Sequence, residues 1–176
     1  MSVLTVDRAA VAVLFVCMGN ICRSPTAEAV LRVQARRRGL ESRLRIDSAG
    51  THGWHAGNPP DARACAHGAR RGYELASLRA RRVLPEDFER FDHVLAMDRA
   101  NLAHLHALEV ADGAAAQVGL LMRHARRHAA VDEVPDPYYG AADGFERVLD
   151  LIEDACEGLL EHIASTLPEP PPERRP

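Results

Sequence analysis

The chain contains no lysine; all 22 of its Lys and Arg residues are arginine. Every fixed cation is therefore a guanidinium that stays charged, and amine chemistry such as Schiff-base formation is excluded. Aromatic residues are also scarce, 5% of 176 residues with a single Trp, so any aromatic cluster stands out. No apolar run approaches the ~20 residues of a spanning helix, and Met1–Ala10 holds no secretory apolar region, so neither a membrane nor an export route is expected. Unconventional export would leave no mark. Only four Cys are present. Without a leader they point to a reducing, cytoplasmic setting with reactive or buried thiols, not to a disulfide framework. The charge balance is nearly even, a net −3, which gives no footprint for nucleic acid.

What is present fits one domain with an ample core. Strand-like and helix-like segments alternate, which predicts an α/β fold: a four-stranded parallel sheet with helices on both faces and a phosphate loop after the first strand. In such sheets function gathers at the carboxyl ends of the strands. Strands are expected at 11–16, 44–48, 93–97 and 118–122, and helices at 25–38, 61–71, 98–108 and 144–167. The last helix carries Phe145, Val148, Leu149, Ile152, Cys156, Leu159, Leu160 and Ile163 at helical spacing. Residues 1–10 read as an N-terminal extension, 11–167 as the domain, and 168–176, rich in Pro, Glu and Arg, as a disordered tail.

The segment that organises the chain is Val11–Pro25. Six apolar, mostly β-favouring residues, Val11–Val16, read as a strand buried on both faces. They stop at Cys17, and Cys17–Arg23 contains Gly19 and Asn20, the types that best accept positive φ. Ser24 and Pro25 then read as N-cap and first residue of a helix. Strand, tight loop and helix start is the geometry that turns successive backbone N–H groups onto one anion. Spacing alone is weak: with 4 Cys and 22 basic residues, chance yields roughly half a Cys-x5-Arg match. A second match, Cys65…Arg71, lies in a predicted helix, where residues six apart sit about 9 Å apart along the axis. It is read as helical, with Cys65 a small buried residue.

Residue types then set the chemistry. A thiol beside Arg23 and a helix N-terminus is expected to have a pKa in the ~3.5–7.5 range of activated cysteines, and Ser24 can donate to the thiolate. The backbone N–H groups of Met18, Gly19, Asn20, Ile21, Cys22 and Arg23, with the planar guanidinium, can hold three phosphoryl oxygens. Expulsion of a poor leaving group requires a proton donor. Pro135-Asp136-Pro137 is a turn on local sequence. The adjoining Tyr138-Tyr139 pair and the need for an acid make Asp136 the candidate, its pKa raised if the rings desolvate it.

The run Phe-Val-Cys-Met-Gly-Asn-Ile-Cys-Arg-Ser-Pro-Thr-Ala-Glu-Ala, with Asp-Pro-Tyr-Tyr-Gly near residue 138, resembles the low-molecular-weight protein tyrosine phosphatases. The similarity extends from Val11 to about Leu167, through Asp-Ser-Ala-Gly-Thr (47–51), Trp54…Gly57-Asn58-Pro59-Pro60-Asp61 and Ala96-Met97-Asp98. The resemblance implies hydrolysis of phosphotyrosine without metal or other cofactor, through phosphocysteine at Cys17, with Arg23 on the phosphate and Asp136 as acid and then base. It implies that Asn20, Ser24 and Ser48 brace the loop, that Trp54, Tyr138 and Tyr139 line the ring slot, and that the partners are phosphotyrosine proteins, the enzyme itself a monomer or weakly self-associating. Cys22 is either a small core residue or a thiol that traps oxidised Cys17 as a disulfide. Arsenate reduction and phosphoarginine hydrolysis are variants on the same fold. The first requires relay cysteines; the second goes with a small polar residue where Ile21 stands. A non-catalytic phosphate-binding redox module is the rival outside enzymology, and has no use for Asp136. One departure stands out: where the family often has His in a Ser-His-x-Ala-Arg segment, this chain has Leu78, which has no hydrogen bond to offer the loop. The paired histidines His104-x-His106 and His124-x3-His128 lack a third ligand and read as solvated, as do Arg79–Arg82.

Overall fold

A computed structural model of the chain describes residues 10–109, 115–141 and 143–168. Residues 1–9 of the expected extension and 169–176 of the expected tail lie outside the described residues. The elements run β1 (Val11–Cys17), α1 (Arg23–Arg37), β2 (Leu44–Gly50), α2 (Ala62–Arg70), α3 (Asp87–Arg90), β3 (His93–Ala96), α4 (Arg99–Leu108), β4 (Gln117–Leu120) and α5 (Asp143–Thr166). The four strands form one parallel sheet in the order β2-β1-β3-β4.

The alternating side chains of β1 explain its uniform apolarity. Val13, Phe15 and Cys17 join the core under α1 and α5, while Ala12, Leu14 and Val16 join the core of the opposite face with Phe88, Phe91 and Leu105 of α4. A central parallel strand has no solvated side. The α5 stripe expected from the sequence is the largest part of the first core: Phe145, Val148, Leu149, Ile152, Cys156, Leu159, Leu160 and Ile163 are all buried.

The boundaries shift in two informative places. β2 continues past Ser48 to Gly50, pairing Cys17 with Gly50. A side chain at Gly50 would meet the Met18 carbonyl oxygen at 2.7 Å and the Asn20 nitrogen at 3.1 Å, so glycine lets β2 back directly onto the loop. β4 ends at Leu120, and Leu121–His124 turns as a single 3-10 stretch that buries Leu121 and Met122. The polar stretch after it is fastened to α5 by Asp154, which accepts from the backbone N–H groups of Arg126, Arg127 and His128.

Candidate active site

The loop Cys17–Arg23 lies where β1 ends, between β2 and β3. Its carbonyls are tied outward: Cys17 accepts from Thr51 N–H at 2.8 Å, Met18 from His52 N–H at 3.0 Å and Ile21 from Asp61 N–H at 2.8 Å. Because a planar peptide sets C=O and the next N–H on opposite sides, these bonds turn the N–H groups of Met18, Gly19 and Cys22 the other way, toward the loop interior. The one residue other than glycine with positive φ among the described residues is Asn20, at 56°. Its side chain stabilises that bend. The amide donates to Ser24 Oγ at 2.8 Å and Ser48 Oγ at 2.9 Å, and its carbonyl accepts from Arg81 N–H at 2.9 Å.

Ser24 is not the N-cap. Helix α1 begins two residues earlier than expected, at Arg23, with Cys22 at the cap position and no side-chain cap. The Ser24 hydroxyl faces inward, 3.0 Å from Cys17 Sγ and 3.2 Å from the Ala49 carbonyl. With the Asn20 amide already on one lone pair, its single proton has two acceptors to choose from. A thiol at Cys17 leaves that proton to Ala49; a thiolate attracts it.

Arg23 is 2% exposed. Its guanidinium donates to Asp98 Oδ2 at 2.6 Å, the Val134 carbonyl at 3.1 Å and Asp136 Oδ2 at 3.4 Å. Burial works against its charge, but Cys17, Asp98 and Asp136 outweigh it and raise its pKa above the ordinary arginine value. Asp98 also caps α4 by accepting from Asn101 N–H at 2.7 Å, so one carboxylate fixes both a helix and the buried guanidinium. In the sequence Asp98 stands at the start of the expected helix over 98–108, the position of an N-cap, and its ion pair with Arg23 has no signal there. Sequence reasoning also missed Glu28, a buried residue that accepts from Ser48 Oγ at 2.6 Å and from Arg32 at 2.8 Å. Burial lifts the Glu28 pKa, against those two hydrogen bonds.

Cys17, Met18, Gly19, Ile21, Cys22 and Arg23 floor a cavity of ≈ 340 Å³ whose walls are Trp54, His55, Asp136, Tyr138 and Tyr139. Asn20, Ser24 and Ser48 stand behind the floor, as braces. His55 is the wall residue that sequence reasoning did not select. Tyr138 and Tyr139 meet edge to face at 4.8 Å, and the Asp136 side chain remains 43% exposed; the desolvation expected from the two rings is absent. Asp136 Oδ1 accepts from Tyr138 N–H at 3.0 Å, which fixes the turn. The Cys22 thiol is 5% exposed. Burial first, then Asp61, Cys17 and Asp136, push its pKa far up, so it is held as the neutral thiol.

Four further expectations are corrected or refined. Arg81 is not simply solvated; it bridges Asp47 at 3.0 Å and the buried Asp87 at 2.9 Å. Cys65 is only half-buried. Leu78 indeed supplies no polar atom, and in its segment the loop is braced by the Arg81 N–H. The histidines pair differently from the sequence grouping: His104 with His52, His124 with His162, and His128 with Asp154.

A doubly covered parallel sheet with a thiol at the mouth of an N–H-lined loop, closed by a buried guanidinium, defines a phosphatase of the cysteine-loop type. The chain belongs to the low molecular weight phosphotyrosine protein phosphatase family, whose model matches residues 12–168. It is 46% identical over 152 residues to the low molecular weight protein-tyrosine-phosphatase of Streptomyces coelicolor, covering 86% of this chain and 92% of the relative. The crystal structure of a protein tyrosine phosphatase from Entamoeba histolytica superposes with a TM-score of 0.84 at 38% identity, covering 89% of this chain and 98% of that one. A Drosophila arginine phosphatase superposes at 0.81 with 32% identity, covering 88% and 98%.

Proposed function

We propose that the protein hydrolyses phosphotyrosine in proteins through a cysteinyl-phosphate at Cys17. The observation that carries this reading is the 3.0 Å contact of Cys17 Sγ with Ser24 Oγ inside a loop whose carbonyls are bonded outward. In the first step the Cys17 thiolate attacks phosphorus, the S–P bond forms, the P–O bond to the aryl group breaks, and protonated Asp136 gives its proton to the leaving phenolate oxygen. In the second, Asp136 as carboxylate takes a proton from water, the water oxygen bonds phosphorus, and the S–P bond breaks to release phosphate and thiolate. Arg23 and the loop N–H groups hold the three equatorial oxygens throughout, which is positioning and electrostatic stabilisation.

Ile21 and the ring wall favour an aryl phosphate over phosphoarginine. Cys156, fully buried in α5 with Sγ 3.9 Å from the Ala27 carbonyl, is a poor arsenate relay thiol. We further assign Cys22 the trapping of Cys17 sulfenic acid: the Cys22 thiol attacks the oxidised sulfur, the disulfide forms and water leaves. The domain spans 11–167, and the enzyme acts in the cytoplasm as a monomer or a weakly self-associating one. Four free thiols suit a reducing compartment.

The test is hydrolysis of an aryl phosphate in the presence of a chelator, with phosphoarginine and arsenate assayed in parallel. Turnover of the aryl ester, abolished in Cys17→Ser, is expected; full activity in that variant would sink the mechanism. Asp136→Ala should slow the reaction about 10²-fold, most for poor leaving groups. Peroxide inactivation should be reversed by thiol in wild type and not in Cys22→Ser; equal recovery removes Cys22 from the scheme.

A further inference from the structure

Three aromatic rings stand in a column that begins at the reaction cavity and ends on α4. Trp54 lines the cavity and His52 does not. The His52 imidazole stacks on the indole with centroids 4.2 Å apart and planes 22° from parallel, so it covers the indole from outside the cavity. Behind it stands His104, 5.6 Å from His52. Burial first, then His52 and Arg82, lower the His104 pKa, which keeps that ring neutral against its neighbour near pH 7.

His52 is well fixed and Trp54 is not. The His52 N–H donates to the Met18 carbonyl at 3.0 Å, and its Nδ1 shares a hydrogen bond of 2.9 Å with Oγ1 of Thr51, a residue 2% exposed. Trp54 is 69% exposed in a loop bounded by Gly53 and Gly57. An exposed ring that must lie flat against a substrate binds better when it is ordered beforehand, because ordering then takes nothing from the binding energy. Among the described residues, the ring contact that orders Trp54 is His52.

We propose that His52 is a specificity-determining positioning residue: stacked behind Trp54, it holds the indole as a preformed wall for the substrate ring. Discrimination between ringed and ring-less phosphates thus passes through a side chain outside the cavity. The proposal rests on the phosphotyrosine reading above.

Wild type, His52→Ala and His52→Phe are to be compared with β-naphthyl phosphate as ringed substrate and inorganic phosphate as ring-less competitive inhibitor. His52→Ala should raise KM for the naphthyl ester about threefold to tenfold, the range of one aromatic pair, with the loss on KM and not on kcat. The inhibition constant for phosphate should stay at the wild-type value. His52→Phe, which keeps the stack, should recover KM to about twofold of wild type. The single Trp reports the stack directly: its emission anisotropy should fall in His52→Ala and return in His52→Phe. An unchanged KM in folded His52→Ala, an equal weakening of phosphate (which would place the effect on the loop through Met18), or no recovery with Phe each overturns the proposal. A wild-type protein inert toward aryl phosphates refutes the phosphotyrosine reading, and this proposal with it, and is distinguished by the wild-type assay alone.

Discussion

Two segments of this chain share the same spacing of cysteine and arginine, and the fold gives them opposite uses. Cys17…Arg23 begins on a strand and ends on a helix, so the six-residue step is spent on a loop whose amides converge on one point. Arg23 comes back over Cys17 because Asp98 and Asp136 hold it there. Cys65…Arg71 runs along α2 to its C-cap. Its sulfur points to the Pro60 carbonyl at 3.8 Å, and Arg71 reaches across to α5, pairing with Glu146, Asp150 at 2.9 Å and Glu153 at 3.0 Å. A spacing acquires chemical meaning only through the backbone that separates its ends.

The contrast can be broken by exchange of single atoms. Cys17→Ser should lower kcat by 10³-fold or more, on the order of losing an activated nucleophile, whereas Cys65→Ser should leave it within about twofold. A comparable loss in both would end the distinction. The next effect is on the cations. Arg23→Ala should cost about 10²–10³ in kcat/KM, the scale of removing a donor aimed at the reacting phosphoryl group. Arg71→Ala should instead lower stability by about 1–2 kcal/mol by releasing three carboxylates of the α2–α5 contact, read as a shift of the urea midpoint with turnover per folded molecule retained. Gly50→Ala lies between the two classes. Its new methyl is placed 2.7 Å from the Met18 carbonyl, so it should displace the loop and lose both stability, by about 1–3 kcal/mol, and activity.

The last effect concerns acid. Burial first, then His162 and His93, lower the His124 pKa from 6.5 to about 4. The unfolded chain therefore binds that proton more readily than the folded one, and the contribution of His124 to stability is complete above about pH 6.5 and declines as the pH falls toward 4. Melting temperature measured from pH 7 to pH 4 should show the decline, and His124→Gln should flatten it. Both Cys-x5-Arg segments should be lost together in acid, since neither contains the responsible group.

Much of the site was legible because its parts are local. Val11–Val16, Cys17, Asn20 and Arg23 sit within one strand–loop–helix unit, and the chain order reveals it. Asp136 was selected for the Tyr138-Tyr139 pair beside it, and all three line the cavity. What escaped were side chains whose role depends on contacts across the fold. Asp98 reads as an N-cap, and its second oxygen on Arg23 follows only once β3 lies beside β1. Glu28 is the single acidic residue of α1, with no evident partner beyond Arg32 until Ser48 is brought to it from β2. Ser24 was misread for the same reason: a serine before proline has the local form of a cap, but Asn20, Cys17 and Ala49 claim its hydroxyl. The expected shielding of Asp136 failed because Tyr138 and Tyr139 turn toward each other, a choice that no adjacency in sequence determines.

The sheet order places β1 between β2 and β3, hydrogen-bonded along both edges. Amides in such a strand are released to deuterium only when a large part of the molecule opens, so β1 belongs with the slowest-exchanging class. Cys17, the proposed nucleophile, is the last residue of that strand. Fraying of the ends or of the Trp54 loop leaves Cys17 in place, and its sulfur stays in register until the domain as a whole unfolds.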